Sequence, residues 1–237
     1  MVGPFKTAPG GYTHIFVADD KLTKWIEVKA VTSIESAKAA QFMEEITHCF
    51  GVPNRIITDL GKQFTNSEFW DFSQDNLIDV YYSSVAHQRC NGQVECANWM
   101  VLKSLKSHIF DNASKYATKW LRELPHVIWG LRTLKSWATG YTPFFMVYGS
   151  EAVLPSDVAF GTPRIQYYEE GKEETSWRVD IDSLEEHRVA ALIQHARHEQ
   201  QIRHYHNRNV REHSFNFGDL VLCRIQSTND MHKLTAP

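Results

Sequence analysis

The first part of the chain carries apolar and polar positions in the patterns of strands. Residues 12–18 are rich in aromatic and β-branched side chains, and residues 24–31 alternate apolar with polar positions. Both segments are predicted to be strands, paired antiparallel. Residues 55–58 form a short apolar run and residues 78–83 another, which predicts two further strands.

Other segments repeat apolar residues at helical spacing. This pattern predicts helices over residues 34–50, 67–76, 92–110 and 114–136, with Pro125 as a kink in the last one. On the helix that begins near Gly92, Ala97 and Val101 share one face, and Glu95 lies more than ~100° away at ~100° per residue. Glu95 is therefore expected on the rim. Strands followed by alternating strands and helices predict an α/β sheet covered by helices.

The chain divides by composition into four predicted segments. Residues 1–150 are expected to form a core domain, and residues 151–181 contain prolines, glycines and an acidic excess typical of a linker. Residues 182–213 are predicted to form an amphipathic helix rich in His and Arg. Residues 214–237 are predicted to be the truncated start of a small β-barrel.

Composition limits the environment and the partners. The 237 residues are 43% hydrophobic with a net charge of −3, so the charge alone does not indicate a nucleic-acid binder. No apolar run of ~18 residues and no secretory signal is present, and the four cysteines are scattered. These features predict an intracellular protein that does not bind a membrane. His195 and His198 could suggest zinc, but a basic, pH-sensitive helix explains the histidine run more simply.

Three carboxylates occupy positions where metal chemistry is possible. Asp20 ends the first predicted strand, Asp59 ends a later one, and Glu95 lies near the start of a helix. Mg²⁺ prefers oxygen ligands, and two such ions can activate an attacking oxygen and stabilise a leaving oxygen in phosphoryl transfer. Taken alone, three acids in a chain with 28 are weak evidence for a metal site, and ordinary surface placement is the better interpretation.

The residues around these acids change that balance. The sequence resembles the integrases of Ty3/gypsy-type long-terminal-repeat retrotransposons and, more distantly, those of retroviruses. Between Asp59 and Glu95 lie 35 residues, which is the interval of that family. The resemblance covers nearly the whole chain, and its matching segments are residues 9–14, 17–18, 20–25, 51–53, 56–59, 61, 63–64, 91–95, 97–98, 142–144, 148–149, 205–207 and 218–222.

The resemblance implies a ribonuclease-H-like fold with a mixed sheet flanked by helices. It implies that Asp20, Asp59 and Glu95 hold two Mg²⁺ or Mn²⁺ ions and that the protein cuts and joins DNA strands. Its partners would be the retroelement ends, target DNA and further copies of the chain, and a functional product would be nuclear. Four residues are predicted to bind DNA: Lys103 and Lys106, which lie ~80° and ~20° from Glu95 around the helix, and Asn91 and Gln93.

Several positions depart from the family pattern. Asp19 beside Asp20 either faces the core, where it would stay protonated, or lies in water at a frayed strand end. Leu60, Cys96 and Trp99 also depart, and the bulky Trp99 beside Glu95 could obstruct DNA. The alternative function is therefore a decayed integrase that only binds DNA or a protein. A related nuclease or transposase with the same fold also remains open. The zinc module that precedes complete integrase cores is not expected within this chain.

Overall fold

A computed structural model describes residues 1–83, 92–109, 119–162 and 173–208, together with 214, 216–218 and 220. Within the helix at 173–208, side chains are described from residue 183 onward. The chain separates into two compact units, of which the first includes Met1–Leu134 and the second begins at Lys135. The unit boundary thus precedes the predicted boundary at residue 150.

The first unit contains four strands. Strands β1 (His14–Asp19) and β2 (Ile26–Val31) pair antiparallel, with His14 opposite Val31 and Asp19 opposite Ile26, so the predicted pairing is confirmed. Strands β3 (Arg55–Thr58) and β4 (Asp79–Tyr82) pair in parallel. All four lie within a few residues of the predicted strands.

Among the described residues, the strands form two separate two-stranded sheets, which corrects the expectation of one mixed sheet. The edge of β1 opposite β2 is partly used by the N-terminal segment, because Val2 and Ile15 exchange two backbone hydrogen bonds of 2.9 and 2.8 Å. Side-chain packing connects the two sheets, since Phe16 of β1 and Val80 of β4 belong to one apolar cluster.

Five helices of the first unit are described: α1 (Ser36–Phe50), α2 (Lys62–Thr65), α3 (Ser67–Asp75), α4 (Gly92–Ile109) and α5 (Trp120–Thr133). The helices predicted from apolar spacing are confirmed as α1, α3, α4 and α5. Helix α5 is described only from Trp120, and it continues through Pro125. Part of the segment predicted before it, residues 114–118, lies outside the described residues.

Strand β1 contributes to two apolar clusters because successive side chains point to opposite faces of a strand. Ile15 and Val17 pack with α4 and α5, where Trp120 is fully buried and donates its indole N–H to the Lys6 carbonyl at 2.9 Å. Phe16 packs in the other cluster with α1 and α3. Strand β1 therefore runs through the middle of the unit, and its C-terminal end delivers Asp20.

The second unit contains α6 (Pro143–Tyr148), α7 (Pro155–Phe160) and α8 (Glu173–Arg208). Residues 151–181 were predicted to be a linker, but they include α7 and the first turns of α8. Helix α7 begins at a proline, and the Asp157 carboxylate accepts a hydrogen bond from the Leu154 backbone N–H at 2.8 Å. Proline at the first helical position and an acid in the first turn are both favourable for a helix.

The earlier unit boundary has a packing reason. Tyr141 Oη lies 3.1 Å from His187 Nδ1 of α8, and a side chain added at Gly149 would meet Leu184 at 3.4 Å. Residues that were predicted to complete the core domain thus pack on the long helix instead.

Helix α8 is amphipathic only in part. Among its described side chains, Leu184 and Ala191 are buried, and the half-buried ones follow the same side as far as Glu199. Most later side chains are exposed. Most of residues 214–237, the predicted start of a small β-barrel, lies outside the described residues. No helix in the described part of the chain is long and apolar enough to span a membrane.

Candidate active site

Asp20 follows β1 and closes the turn that leads into β2. Its Oδ2 accepts three hydrogen bonds, from the backbone N–H groups of Leu22 at 3.2 Å and Thr23 at 2.8 Å and from the Thr23 hydroxyl at 2.7 Å. The turn is completed by the Asp20 N–H, which donates to the Trp25 carbonyl at 2.9 Å. The exposed carboxylate is therefore fixed by its own loop, and within the described residues its other oxygen has no hydrogen-bond partner.

Asp19, the last residue of β1, is half-buried. Burial raises the pKa of Asp19 to about 7, the Lys24 ammonium opposes that shift, and the Asp20 carboxylate adds to it. The structure therefore favours the first of the two alternatives, in which Asp19 faces the core and binds a proton readily. Asp20 remains the member of the pair that faces solvent.

Asp59 follows β3, and its carboxylate also folds back onto its own loop. Oδ1 accepts a hydrogen bond from the Gly61 backbone N–H at 3.0 Å. A Cβ atom at position 61 would lie 2.3 Å from Gln63 Nε2 and 2.8 Å from Asp59 Oδ1, so a larger residue would force at least one of these side-chain ends to shift. Leu60 is 50% exposed, which places this departure from the family pattern on the surface.

Glu95 lies in the first turn of α4 and is exposed. The buried face of this helix consists of Ala97, Val101, Leu105 and Ile109, so the predicted rim position of Glu95 is confirmed. One turn after Glu95, the Trp99 indole is 57% exposed, and Lys103 Nζ lies 4.6 Å from the centroid of its ring.

Three of the four residues predicted to bind DNA lie on α4. Lys103 is exposed and Lys106 is half-buried, both on α4, and Gln93 is half-buried in its first turn. Asn91 lies outside the described residues. None of these side chains has a described bond to Glu95.

The donor chemistry suits a hard divalent cation, but the carboxylates do not form a closed cluster. In the part of the chain that the structure describes, no three His, Cys, Asp or Glu side chains are close enough to hold one ion. Asp20 and Asp59 each have one oxygen in local hydrogen bonds and a second oxygen that a metal ion could contact.

Comparison with known proteins gives the family context. No family model matches the chain. It is 26% identical over 157 residues to the Pro-Pol polyprotein of simian foamy virus type 1, covering 65% of this chain and 13% of that protein. It is 22% identical over 227 residues to the retrovirus-related Pol polyprotein from transposon 412 of Drosophila melanogaster, covering 94% of this chain and 18% of that protein. Its homologues are retroelement Pol polyproteins and gypsy integrase-like proteins.

This chain spans about an eighth to a fifth of the length of the Pol polyproteins it matches. Among solved structures, a chain of the simian T-cell lymphotropic virus intasome in complex with PP2A regulatory subunit B56 gamma superposes with a TM-score of 0.51. That match has 18% sequence identity and covers 64% of this chain and 53% of that chain. This likeness shows that the part of the chain it covers shares the fold of that intasome chain.

Two residues near the predicted ligands were assigned no role from the sequence. Asn98 lies one turn after Glu95, and within the described residues its Oδ1 is a buried side-chain oxygen without a hydrogen-bond partner. Gln63 is 6% exposed beside Asp59. Both positions fall in segments that resemble integrases, which was the available signal. Their burial was not predictable, because it depends on which elements pack over them.

Proposed function

We propose that this chain is an integrase-type polynucleotidyl transferase and nuclease that cuts and joins DNA strands. The observation that carries the proposal is the placement of three acids on exposed ends of elements within one unit: Asp20 after β1, Asp59 after β3 and Glu95 in the first turn of α4. Side chains of strand β1 and helix α4 pack in one core cluster. The ring centroids of Phe16 of β1 and Phe64 of α2 lie 6.2 Å apart, and Phe64 is close to Asp59 in sequence. The gypsy integrase-like homologues support the same class of activity.

Asp20, Asp59 and Glu95 would hold two Mg²⁺ or Mn²⁺ ions. When bound, such ions activate the attacking oxygen and stabilise the leaving oxygen of a phosphodiester. The residues of the chain contribute by fixing the positions of the three carboxylates. The Thr23 and Gly61 donors orient the Asp20 and Asp59 carboxylates, and Glu95 stands on a rigid helix. Water or a DNA 3′-hydroxyl would be the nucleophile.

DNA would be held mainly through its phosphates. Lys103 and Lys106 follow Glu95 on α4, and Gln93 precedes it, so cationic and polar side chains continue from the acidic site along one helix. Contacts of this kind carry little sequence information and weaken as salt is added. We therefore expect weak preference for particular DNA ends.

We extend the proposal to the assembly, the DNA partners and the location that the resemblance to integrases implies. The product would act as a homo-oligomer on retroelement ends and target DNA, and it would be intracellular and located in the nucleus when functional. Analytical ultracentrifugation of the purified chain, alone and with branched DNA, measures the oligomer. A monomer under both conditions would contradict that part.

A second candidate function is a decayed integrase that only binds DNA or a protein. Two exposed apolar side chains favour it, since Leu60 follows Asp59 directly and Trp99 lies one turn from Glu95. Bulky apolar groups at these positions could block the approach of a phosphodiester without disturbing the fold.

A nicking assay on branched and linear DNA separates the two functions. The wild type should cut only with Mg²⁺ or Mn²⁺, and Glu95→Gln should reduce the rate by about 100-fold or more because it removes one ligand charge. Glu68→Gln is the matched control, because Glu68 is an exposed acid on α3. Cutting that persists in EDTA or in Glu95→Gln would refute the assigned site. Metal binding by calorimetry without any cutting, followed by cutting in Trp99→Gly, would favour the decayed enzyme.

A further inference from the structure

The exposed side of α4 carries Trp99, an aromatic residue that the proposed reaction does not use, next to Lys103, which that reaction uses only as a phosphate contact. Trp99 follows Glu95 by one helical turn, and Lys103 follows Trp99 by another, so the three side chains form one stripe. The indole is 57% exposed, and Lys103 Nζ lies 4.6 Å from the centroid of its ring. The ammonium is thus positioned by a cation–π contact.

Trp99 does not contribute to the hydrophobic core. The buried face of α4 is formed by Ala97, Val101 and Leu105, on the other side of the helix. Tryptophan has a large apolar surface with a flat face, and such a surface in water gains free energy when a flat apolar partner covers it. The exposed face of the indole is therefore accessible to a flat partner, and the ammonium of Lys103 lies beside it.

We propose that Trp99 and Lys103 form a binding site for an unpaired DNA nucleotide, in which the indole stacks on the base and the ammonium contacts the adjacent phosphate. Aromatic faces that stack on bases, combined with cations that follow the backbone, are the general means of binding single strands, and stacking accepts any base. The inference rests on the proposed function, since it places this nucleotide next to the phosphodiester that Glu95 helps to cleave.

The geometry also defines the class of substrate. A base inside a duplex is covered by its neighbours, so an indole reaches it only if the base is unpaired or turned out of the stack. The preferred substrate is therefore DNA with a frayed or single-stranded nucleotide at the reaction site. An apolar protein surface fits less well, because Glu95, Lys103 and Lys106 place charges along the same side of the helix.

Fluorescence anisotropy tests the inference without strand cutting. The full chain is titrated in EDTA and low salt against labelled oligothymidine, a matched oligonucleotide with abasic sites, and a blunt duplex. Trp99→Leu keeps apolar volume but removes the stacking face, Trp99→Phe keeps an aromatic face, and Lys103→Gln removes the charge. Trp137→Leu is the matched control, because the Trp137 side chain is 91% exposed and lies in the second unit.

We expect Trp99→Leu to weaken oligothymidine binding by about tenfold, with binding by Trp99→Phe close to that of the wild type and binding by Trp137→Leu unchanged. The abasic strand should bind weakly and show little dependence on residue 99. Lys103→Gln should make the binding constant fall less steeply as salt is added. The decrease in slope should correspond to the loss of roughly one phosphate contact.

Three results would overturn the inference: unchanged binding in Trp99→Leu, an equal loss on the abasic strand, or an equal loss on the duplex. An absence of single-strand binding by the wild type would also overturn it. The nicking assay decides the proposed function separately. Metal-dependent cutting with no effect of Trp99→Leu on binding would leave the enzyme proposal intact, whereas Trp99-dependent binding without cutting would leave only the binding site.

Discussion

Thr23 donates two hydrogen bonds to Asp20 Oδ2, one from its backbone N–H at 2.8 Å and one from its hydroxyl at 2.7 Å. Thr23 lies in the segment 20–25 that resembles integrases, and this contact gives its position three residues after Asp20 a physical reason. The hydroxyl orients the acid while the second carboxylate oxygen has no protein partner among the described residues. A ligand fixed in this way loses less conformational entropy when it binds a metal.

Thr23→Val should therefore weaken metal binding and strand cutting more than it weakens the fold. The change removes two hydrogen bonds of the Thr23 hydroxyl, the one it donates to Asp20 Oδ2 and the one it accepts from the Trp25 backbone N–H at 3.2 Å. We expect a loss of about 2 kcal/mol or less in the free energy of unfolding. Mg²⁺ calorimetry and the nicking assay measure the functional loss. Thr133→Val, which removes a hydroxyl bond to the Trp129 carbonyl on α5, is the control. Equal effects of both variants on metal binding would contradict the orienting role.

Asp19→Asn should stabilise the protein at pH 8 and have little effect near pH 4. The folded-state pKa of Asp19 is raised to about 7, so the native state holds a proton that the unfolded state releases at a lower pH. Stability from this group is present below the unfolded pKa and is lost as the pH rises through about 7. We expect a gain on the order of 2–4 kcal/mol at pH 8, as an upper range.

Urea unfolding of both proteins at several pH values between 4 and 8 measures this difference. Asp71→Asn on the exposed side of α3 is the control and should show no such pH dependence relative to the wild type. A constant difference between Asp19→Asn and the wild type across the range would exclude a raised pKa at Asp19.

Gly61→Ala should displace the Asp59 carboxylate. A methyl group there would lie 2.3 Å from Gln63 Nε2 and 2.8 Å from Asp59 Oδ1, which forces at least one of these side chains to move. We expect a loss of cutting of roughly tenfold or more, because a small misplacement of a metal ligand is costly. Gly92→Ala is a matched control, since no atom of the described residues lies within 4 Å of its added Cβ. Similar activity in the two variants would show that Asp59 tolerates displacement.

Asn98→Leu should leave stability unchanged or raise it by about 1 kcal/mol while it reduces activity. The buried Asn98 Oδ1 has no hydrogen-bond partner within the described residues, so leucine removes an uncompensated polar atom. Asn98→Asp should instead destabilise the fold, because it places a carboxylate in the same environment. Thermal unfolding and nicking rates distinguish these outcomes. A stability loss above about 1 kcal/mol in Asn98→Leu would mean that the amide is satisfied in solution.

Several features of the site were predictable from local sequence because their causes are local. The two acids follow short apolar strands that end where the turns begin, and Glu95 is outward because Ala97 and Val101 mark the buried face of the same helix. Periodicity alone decides which side of a helix or strand is apolar. The antiparallel pairing of β1 with β2 follows from a short turn between two strand patterns.

Tertiary structure decided the properties that depend on neighbours distant in sequence. The pKa of Asp19 is raised by burial that no local pattern reveals. The burial of the Asn98 side-chain oxygen, which has no hydrogen-bond partner among the described residues, is likewise not evident from local sequence. The two sheets are separate among the described residues, with part of one edge of β1 bonded to the N-terminal segment. Residues 141–149 pack on α8 rather than completing the core domain. The sequence by itself thus determined where each acid lies within its own element. Which groups surround those acids was decided only when distant elements packed together, because desolvation and contact distances depend on the whole unit.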